Sequence, residues 1–297
     1  MVTLSNRRVI GLSVETACSA TLSMVLAGNI TGSDIPAMTT LHHNLSLKDE
    51  IRDFWSMRSE TFDTMPGHEI FSVAERQAWL TLFARHLGQP PAGAKALDLA
   101  SGTGVISLLL ADLGYAVTGL DLSEAMLARA RAKTVGKPIR LYAGDAEDTL
   151  EASDSYDAVA TRHLVWTLPD PPAAFREWHR VLKPGGRVAI VDVDMTNPRP
   201  GNGRALRLLA TLARLLVVPK PPPPYKAAHD DIVSRVYFAK GCRPEEIARL
   251  LAEAGFVDIA VDRNLRAIHR AQGRFMPLHQ RLERASQDRF IVSARKP

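Results

Sequence analysis

Beyond the Pro90-Pro91 break, short apolar runs alternate with segments of helical period, and this alternation most restricts what the chain can fold into. Lys95–Leu99, Ala116–Asp121, Ile139–Ala143, Ala158–Thr161 and Arg187–Val193 read as strands. Val105–Leu113, Glu124–Lys133 and Pro172–Leu182 read as helices between them, with Ser123 as an N-cap. Strands joined by crossover helices build a parallel sheet covered on both faces, so the predicted class is α/β and doubly wound. After the break in alternation near Met195, Pro244 opens a helix that Gly255 ends, and Phe256–Val261 and Arg289–Ser293 supply two further strands.

Two helices precede this pattern. Ser46 with Asp49 forms a capping box ahead of Leu47, Ile51, Phe54, Trp55 and Arg58, and Ser72 with Glu75 opens a second helix that stops at Gly88. Between the fifth strand and Pro244 lies a long insertion. It holds a proline-glycine loop, a Leu-rich helix over Arg204–Leu216, and Pro219–Pro224 interrupted only by Lys220. Segments of that length are usually functional.

The 297 residues suit one enlarged domain or two, and 46% hydrophobic with 23% charged residues excludes disordered and fibrous classes. Lys and Arg number 37 against 32 Asp and Glu, a scattered excess that does not imply a nucleic-acid partner. Cys18 and Cys242 are the two cysteines, too few for a disulfide scaffold or a four-thiolate metal site, and the chain reads as cytoplasmic. His42-His43 read as solvated histidines, and no metal site is expected. Val9–Ala27, after Arg7-Arg8, is a weak targeting signal interrupted by Glu15 and too short to span a bilayer. Residues 1–40 are expected to lie outside the fold, as a disordered extension or with Met38 as the true start, leaving 41–297 as the folded domain.

The most informative segment is Leu97-Asp98-Leu99-Ala100-Ser101-Gly102-Thr103-Gly104, a strand running through a glycine turn into a helix. Glycines let backbone approach a ligand closely. Asp121, at the end of the next strand, is placed to accept from the two hydroxyls of a ribose. A dinucleotide site would ask for G-x-G-x-x-G facing a pyrophosphate, whereas this turn has two glycines and an acid in the strand feeding it, which suits a cationic ligand.

With Leu97–Gly104, Val117–Asp121 followed by Leu122-Ser123-Glu124-Ala125-Met126-Leu127, Gly144-Asp145-Ala146-Glu147, and Val181–Gly186, the chain resembles the class I S-adenosylmethionine-dependent methyltransferases, in the UbiE/MenG-like or "type 11" small-molecule branch. The resemblance covers about residues 45 to 295 and implies a Rossmann-like seven-stranded sheet, mostly parallel with an antiparallel last strand. It implies S-adenosyl-L-methionine as cofactor, held by Asp98, Ala100, Ser101, Gly102, Gly104, Asp121, Leu122, Met126, Asp145, Ala146 and Thr161. Asp121 matches the acid that binds the ribose hydroxyls, and Asp145 the acid that binds the adenine amino group. Ala100 stands where the family has its first glycine, and Lys183–Gly186 reads as a tight turn rather than a site.

Methyl transfer from a sulfonium is an in-line displacement for which the protein supplies orientation and electrostatics. His163, beyond the fourth strand, is the catalytic candidate as a substrate contact or base. An Asn-Pro-Pro-Tyr motif is absent there, which disfavours adenine and glutamine amide acceptors. The helices over 46–88 are expected to form a lid and the insertion 195–243 a substrate cap. Phe62, His68, Trp166, Tyr225, His229 and Tyr237 are the substrate candidates, while Trp55 reads as packing. The stripe Leu206, Leu209, Leu212 and Leu216 beside Arg204, Arg207 and Arg214 reads as part of that cap, with peripheral membrane contact the less favoured alternative. A hydroxyl, amine, thiol or activated carbon on a small metabolite, quinone or lipid all remain open as acceptor. An NAD(P)-linked oxidoreductase and a non-catalytic cofactor-binding protein are the competing readings.

Overall fold

The computed structural model describes residues 46–217, 221 and 223–297. The expectations for residues 1–40, Cys18, His42-His43 and Lys220 lie outside them. Ser46 caps α1 (Leu47–Phe62) in the expected reciprocal box with Asp49, and Ser72 caps α2 (Val73–Leu87), its hydroxyl accepting from the Glu75 N–H at 3.1 Å. The alternation then follows as β1 (Lys95–Leu99), α3 (Val105–Asp112), β2 (Ala116–Asp121), α4 (Glu124–Lys133), β3 (Ile139–Ala143), β4 (Tyr156–Arg162), α5 (Pro171–Val181) and β5 (Leu182–Pro198). The remainder is α6 (Gly203–Arg214), α7 (Lys226–Arg235), α8 (Pro244–Glu253), β6 (Val257–Asp262), α9 (Arg266–Gly273), α10 (Leu278–Ser286) and β7 (Gln287–Arg295).

The seven strands lie in the order β3-β2-β1-β4-β5-β7-β6. Neighbours from β3 to β5 pair in parallel, and β7 pairs antiparallel with both β5 and β6, so β7 alone runs against the rest. The order reverses between β1 and β4, and a crevice opens at the carboxyl ends of strands at such a point. On one face of the sheet Phe175 and Trp178 of α5 pack with Ile247, Leu250 and Leu251 of α8. On the other, Trp79, Leu82 and Phe83 of α2 pack with Leu109 and Leu110 of α3 and Ile268 of α9. A third cluster joins Ile51 and Phe54 of α1 to Ile232 and Val236 around α7.

Two stretches differ from the sequence expectation. Lys183–Gly186 belongs to β5 rather than to a turn before it. A register shift opposite Tyr156 and Ala158 absorbs the glycines, and Gly185 donates to the Lys296 carbonyl at 3.0 Å. The helices α7, α9 and α10 were not legible: none of their N-cap residues, Tyr225, Leu265 and Pro277, makes a side-chain capping bond, and none of the three opens on a proline as α8 does.

The segment 195–243 divides between several neighbours. Its first residues extend β5, α6 lies against α10, and α7 lies against α1. Leu209, Leu212 and Leu216, expected to close a pocket, are 49%, 51% and 90% exposed. No helix among the described residues is long and apolar enough to cross a membrane.

Trp178 is fully buried, and its indole N–H donates to the Ala146 carbonyl at 2.8 Å, tying the core of α5 to the loop after β3. Trp178→Ala is expected to cost about 3–5 kcal/mol, read as a lower urea midpoint with unchanged slope.

Candidate functional site

The glycine turn is built from left-handed residues. Ala100 sits at φ 53°, Gly102 at 53° and Gly104 at 84°. The turn is tied to β2 by Ser101 N–H donating to the Leu120 carbonyl and closes on itself by Gly104 N–H donating to the Ser101 carbonyl, both 2.8 Å. Gly104 caps α3 and faces α4 so closely that a Cβ there would meet the Ala130 methyl at 3.2 Å. Ala100 adopts the left-handed conformation without being glycine, at a cost of roughly 1–2 kcal/mol.

Asp121 pins this turn. Its carboxylate accepts the Gly102 N–H at 2.9 Å and the Ser123 N–H at 2.8 Å, and burial pushes it up to about 6 against the pull of those two donors. Asp145, after β3, accepts from the Glu147 N–H at 2.9 Å, and the Lys48 ammonium bridges Asp145 and Glu147 at 2.5 Å each. Lys48 belongs to α1, which lies across these strand ends with two further ties, Ser56 to Ser123 at 2.8 Å and Asp63 to Thr103 at 2.6 Å.

These groups line one end of a cavity of about 310 Å³, within the range of small-molecule sites. Ala100, Ser101, Gly102, Asp121, Leu122, Met126, Asp145 and Ala146 all face it, as do the candidates Phe62, His68, His163, Trp166, Tyr225 and His229. Aromatic rings form its walls. Trp55 meets Phe62 and Trp166 edge-on at 6.0 and 6.5 Å, and Phe62 stacks on His68 at 4.1 Å. Trp55, expected only to pack, therefore faces the cavity as well.

Four expected site residues stand elsewhere. Asp98 is 1% exposed beneath the turn, where its carboxylate accepts from the Ser107 hydroxyl at 2.5 Å and burial pushes it up to about 7. Thr161 is buried and donates to the Leu99 carbonyl at 2.8 Å. Gly104 serves as the helix cap just described. Tyr237 is exposed, its hydroxyl donating to Glu246 at 3.1 Å outside the cavity.

His163 sits at the cavity wall at φ 61°, with its N–H donating to the Val191 carbonyl at 2.9 Å and its Nδ1 3.8 Å from Asp192. Burial, with Arg289 and Arg162 nearby, pushes the imidazole well below its usual range, so it is neutral at pH 7. His68 is held to about 4, mainly by burial, and its Nδ1 donates to the Phe62 carbonyl at 3.1 Å. The sequence reading missed Lys48, Arg58, Arg162, Glu147, Met195, Arg284 and Arg289, all of which line the cavity. Arg162 directly precedes His163 at a strand end, a signal that was there to find.

The "Methyltransferase domain" family matches residues 97–190. The chain is 30% identical over 216 residues to a demethylmenaquinone methyltransferase of Renibacterium salmoninarum, covering 69% of this chain and 84% of that protein. A demethylmenaquinone methyltransferase of Clavibacter sepedonicus is 37% identical over 132 residues, a match spanning 44% of this chain and about half (53%) of that protein's length. The fold is similar to phosphoethanolamine N-methyltransferase 2 of Haemonchus contortus, solved with S-adenosyl-L-methionine. That match has a TM-score of 0.58 at 18% identity and covers 85% of this chain and 60% of the other.

Two outcomes follow from the buried acids and the turn. Asp98 binds its proton more tightly folded than unfolded, so the stability this proton confers is complete below pH 4 and lost as pH rises towards 7. Asp98→Asn should therefore gain melting temperature relative to the unsubstituted protein between pH 4 and 7, whereas an unchanged difference would place that titration elsewhere. Gly104→Ala should cost about 1–2 kcal/mol in urea unfolding, from its positive φ and the contact with Ala130.

Proposed function

The chain belongs to the class I S-adenosylmethionine-dependent methyltransferases, in the UbiE-like branch, and from that premise we propose that this single cavity holds the cofactor at its acidic end and a small-molecule acceptor at the other. As a member it is a methyltransferase with S-adenosylmethionine as cofactor, and the oxidoreductase reading falls. The observation that carries the proposal is that Asp121 and Asp145, at the carboxyl ends of β2 and β3, open into the same cavity as His163 and Trp166 beyond β4.

The residues present fit that cofactor. A carboxylate offers about four acceptor positions, and backbone N–H groups use two on Asp121, leaving the rest for ribose hydroxyls. Leu122, Met126 and Ala146 give apolar surface for an adenine, and Asp145 an acceptor for its amino group. Asp98 supports the turn from beneath through its hydrogen bond with Ser107 rather than touching the cofactor. Bound here, the cofactor supplies a methyl group activated by a sulfonium.

The chain supplies the rest. Trp55, Phe62 and Trp166 exclude water, and their rings favour a cation among them. In an in-line displacement the acceptor's lone pair forms the new bond to carbon as the carbon–sulfur bond breaks, and a hydroxyl or amine acceptor then has a proton to lose. His163 takes it as a neutral imidazole, and Asp192, 3.8 Å away, stabilises the resulting charge. α1 and α7 close the cavity from above as a lid, joined by the cluster of Ile51, Phe54, Ile232 and Val236.

Three measurements test this. Asp121→Ala should abolish S-adenosylmethionine binding in isothermal titration, and equal affinities would refute the ribose role. Because Asp121 accepts a proton near pH 6 in the free protein, affinity should fall as pH drops from 7 to 5, by at most about tenfold per pH unit. Asn tolerates a left-handed backbone, so His163→Asn should keep the fold and cofactor affinity. On an acceptor found by radiolabelled methyl transfer to phenols, amines and thiols, it should lower kcat by about 100-fold.

A further inference from the structure

The acceptor end of the cavity concentrates positive charge that no carboxylate of the described residues pairs directly. Arg162 at the end of β4, Arg284 of α10 and Arg289 of β7 all line it. Each guanidinium is held only by neutral acceptors. Arg162 donates to the His68 carbonyl at 2.6 Å, Arg284 to the Gln272 side chain, and Arg289 to Gln287 Oε1 at 2.7 and 3.1 Å. Nη1 of Arg162 and Nε of Arg284 are buried without any hydrogen-bond partner. Among the described residues, no carboxylate forms an ion pair within 4.0 Å with these three groups; the acids whose charge reaches them, Asp98, Glu75, Glu69 and Asp63 for Arg162, Glu75 for Arg284 and Asp192 for Arg289, stand farther off. Gly67 leaves room for the Arg284 guanidinium, since a Cβ there would stand 2.8 Å from Nη1.

An arginine remains charged in a protein, and a charge taken out of water without a counter-ion costs several kcal/mol. Burial, with Arg162 beside it, pulls Arg284 down to about 10 against the opposing charge of Glu75. Such an arrangement suits a ligand that brings the missing negative charge. Resting on the methyltransferase reading above, we propose that the acceptor carries an oxyanion, a carboxylate or phosphoryl group, that docks against Arg284 and Arg289 while its apolar, planar body lies among Trp166, Phe62 and Tyr225.

The strand order argues against the cofactor's own carboxylate as this anion. In β1-β4-β5-β7, Arg289 stands three strands from the glycine turn, roughly 14 Å at about 4.8 Å per strand. The fixed fork of a guanidinium pairs with a planar oxyanion through two parallel hydrogen bonds, which an ammonium in its place would not provide. An anion seated there would also offset the arginines beside His163 and so make the imidazole a stronger base when the acceptor is present.

The test uses the whole chain saturated with S-adenosylhomocysteine, with benzoate, phenyl phosphate, benzamide and benzylamine as probes in isothermal titration. Benzoate or phenyl phosphate should bind about tenfold or more tightly than the neutral and cationic probes, and the stronger of the two names the headgroup. Arg284→Met and Arg289→Met should each remove that preference, and Arg284→Lys and Arg289→Lys should restore part of it, all with S-adenosylhomocysteine affinity unchanged. Retained cofactor affinity also shows that each variant is folded. Equal binding of all four probes, no binding of either anion, or variants that keep the preference would overturn the proposal. So would variants that lose S-adenosylhomocysteine in parallel, because the arginines would then serve the cofactor. An unsubstituted protein that fails to bind S-adenosylhomocysteine would instead remove the cofactor reading on which the proposal rests.

Discussion

The carboxylate of Asp121 is the joint on which the cofactor end depends. It ends β2, yet its two hydrogen bonds reach the glycine turn after β1 and the start of the loop into α4. One side chain thus fixes two adjacent strand-to-helix crossings relative to each other. The same contacts explain why a carboxylate is tolerated with so little exposure, since N–H donors replace part of the water it gives up. Without it, Gly102 would have no anchor across the crevice, and Ser123, which caps α4 and meets Ser56 of α1, would lose the restraint on its own backbone.

Apart from Lys48, Arg52 and Arg58 of α1, charge is sorted along the cavity. Acids gather below and beside the ends of β1 to β3, and arginines gather beyond β4 and β5. Each group is costly to bury, and each is expensive for the reason that makes it useful. The carboxylates hold protons up to about 6 or 7 because burial disfavours their charge, so a cation drawn into that end relieves a penalty already present. The histidines between the two zones are neutral because they are buried, with the arginines adding to the effect, and an uncharged imidazole is the form that can accept a proton.

Much of the first half of the fold was legible because its signals are local. Capping by Ser46, Ser72 and Ser123 and the turn at Gly102 and Gly104 each depend on neighbours a few residues away, and the bounds of α1, α2, α4 and β1 to β3 follow from them. Where both faces of a strand are buried, alternation gives no clue to which way a side chain points. Asp98 and Thr161 were accordingly expected in the cavity although they lie beneath it. The arginine end was illegible for a further reason. Arg284 and Arg289 reach the site only because β7 inserts between β5 and β6, with Val193 opposite Arg289, a pairing between distant segments that no local pattern announces. Within 195–243, Met195, Tyr225 and His229 line the cavity, whereas the Leu-rich α6 lies against α10 and leaves Leu209, Leu212 and Leu216 exposed, a placement set by distant packing that its own period does not announce.

The reversed strand has a consequence for the order in which the molecule is made. Because β7 runs against its neighbours, its leading residues arrive at the same rim as the trailing ends of β4 and β5, and a segment translated well after those strands completes the wall there. A ribosome will have released residues 97–147, with every acid of the cofactor end, long before it reaches 284–289. The nascent chain therefore possesses all the groups for gripping a nucleoside while Arg284 and Arg289, at the far end of the same cavity, are still unwritten.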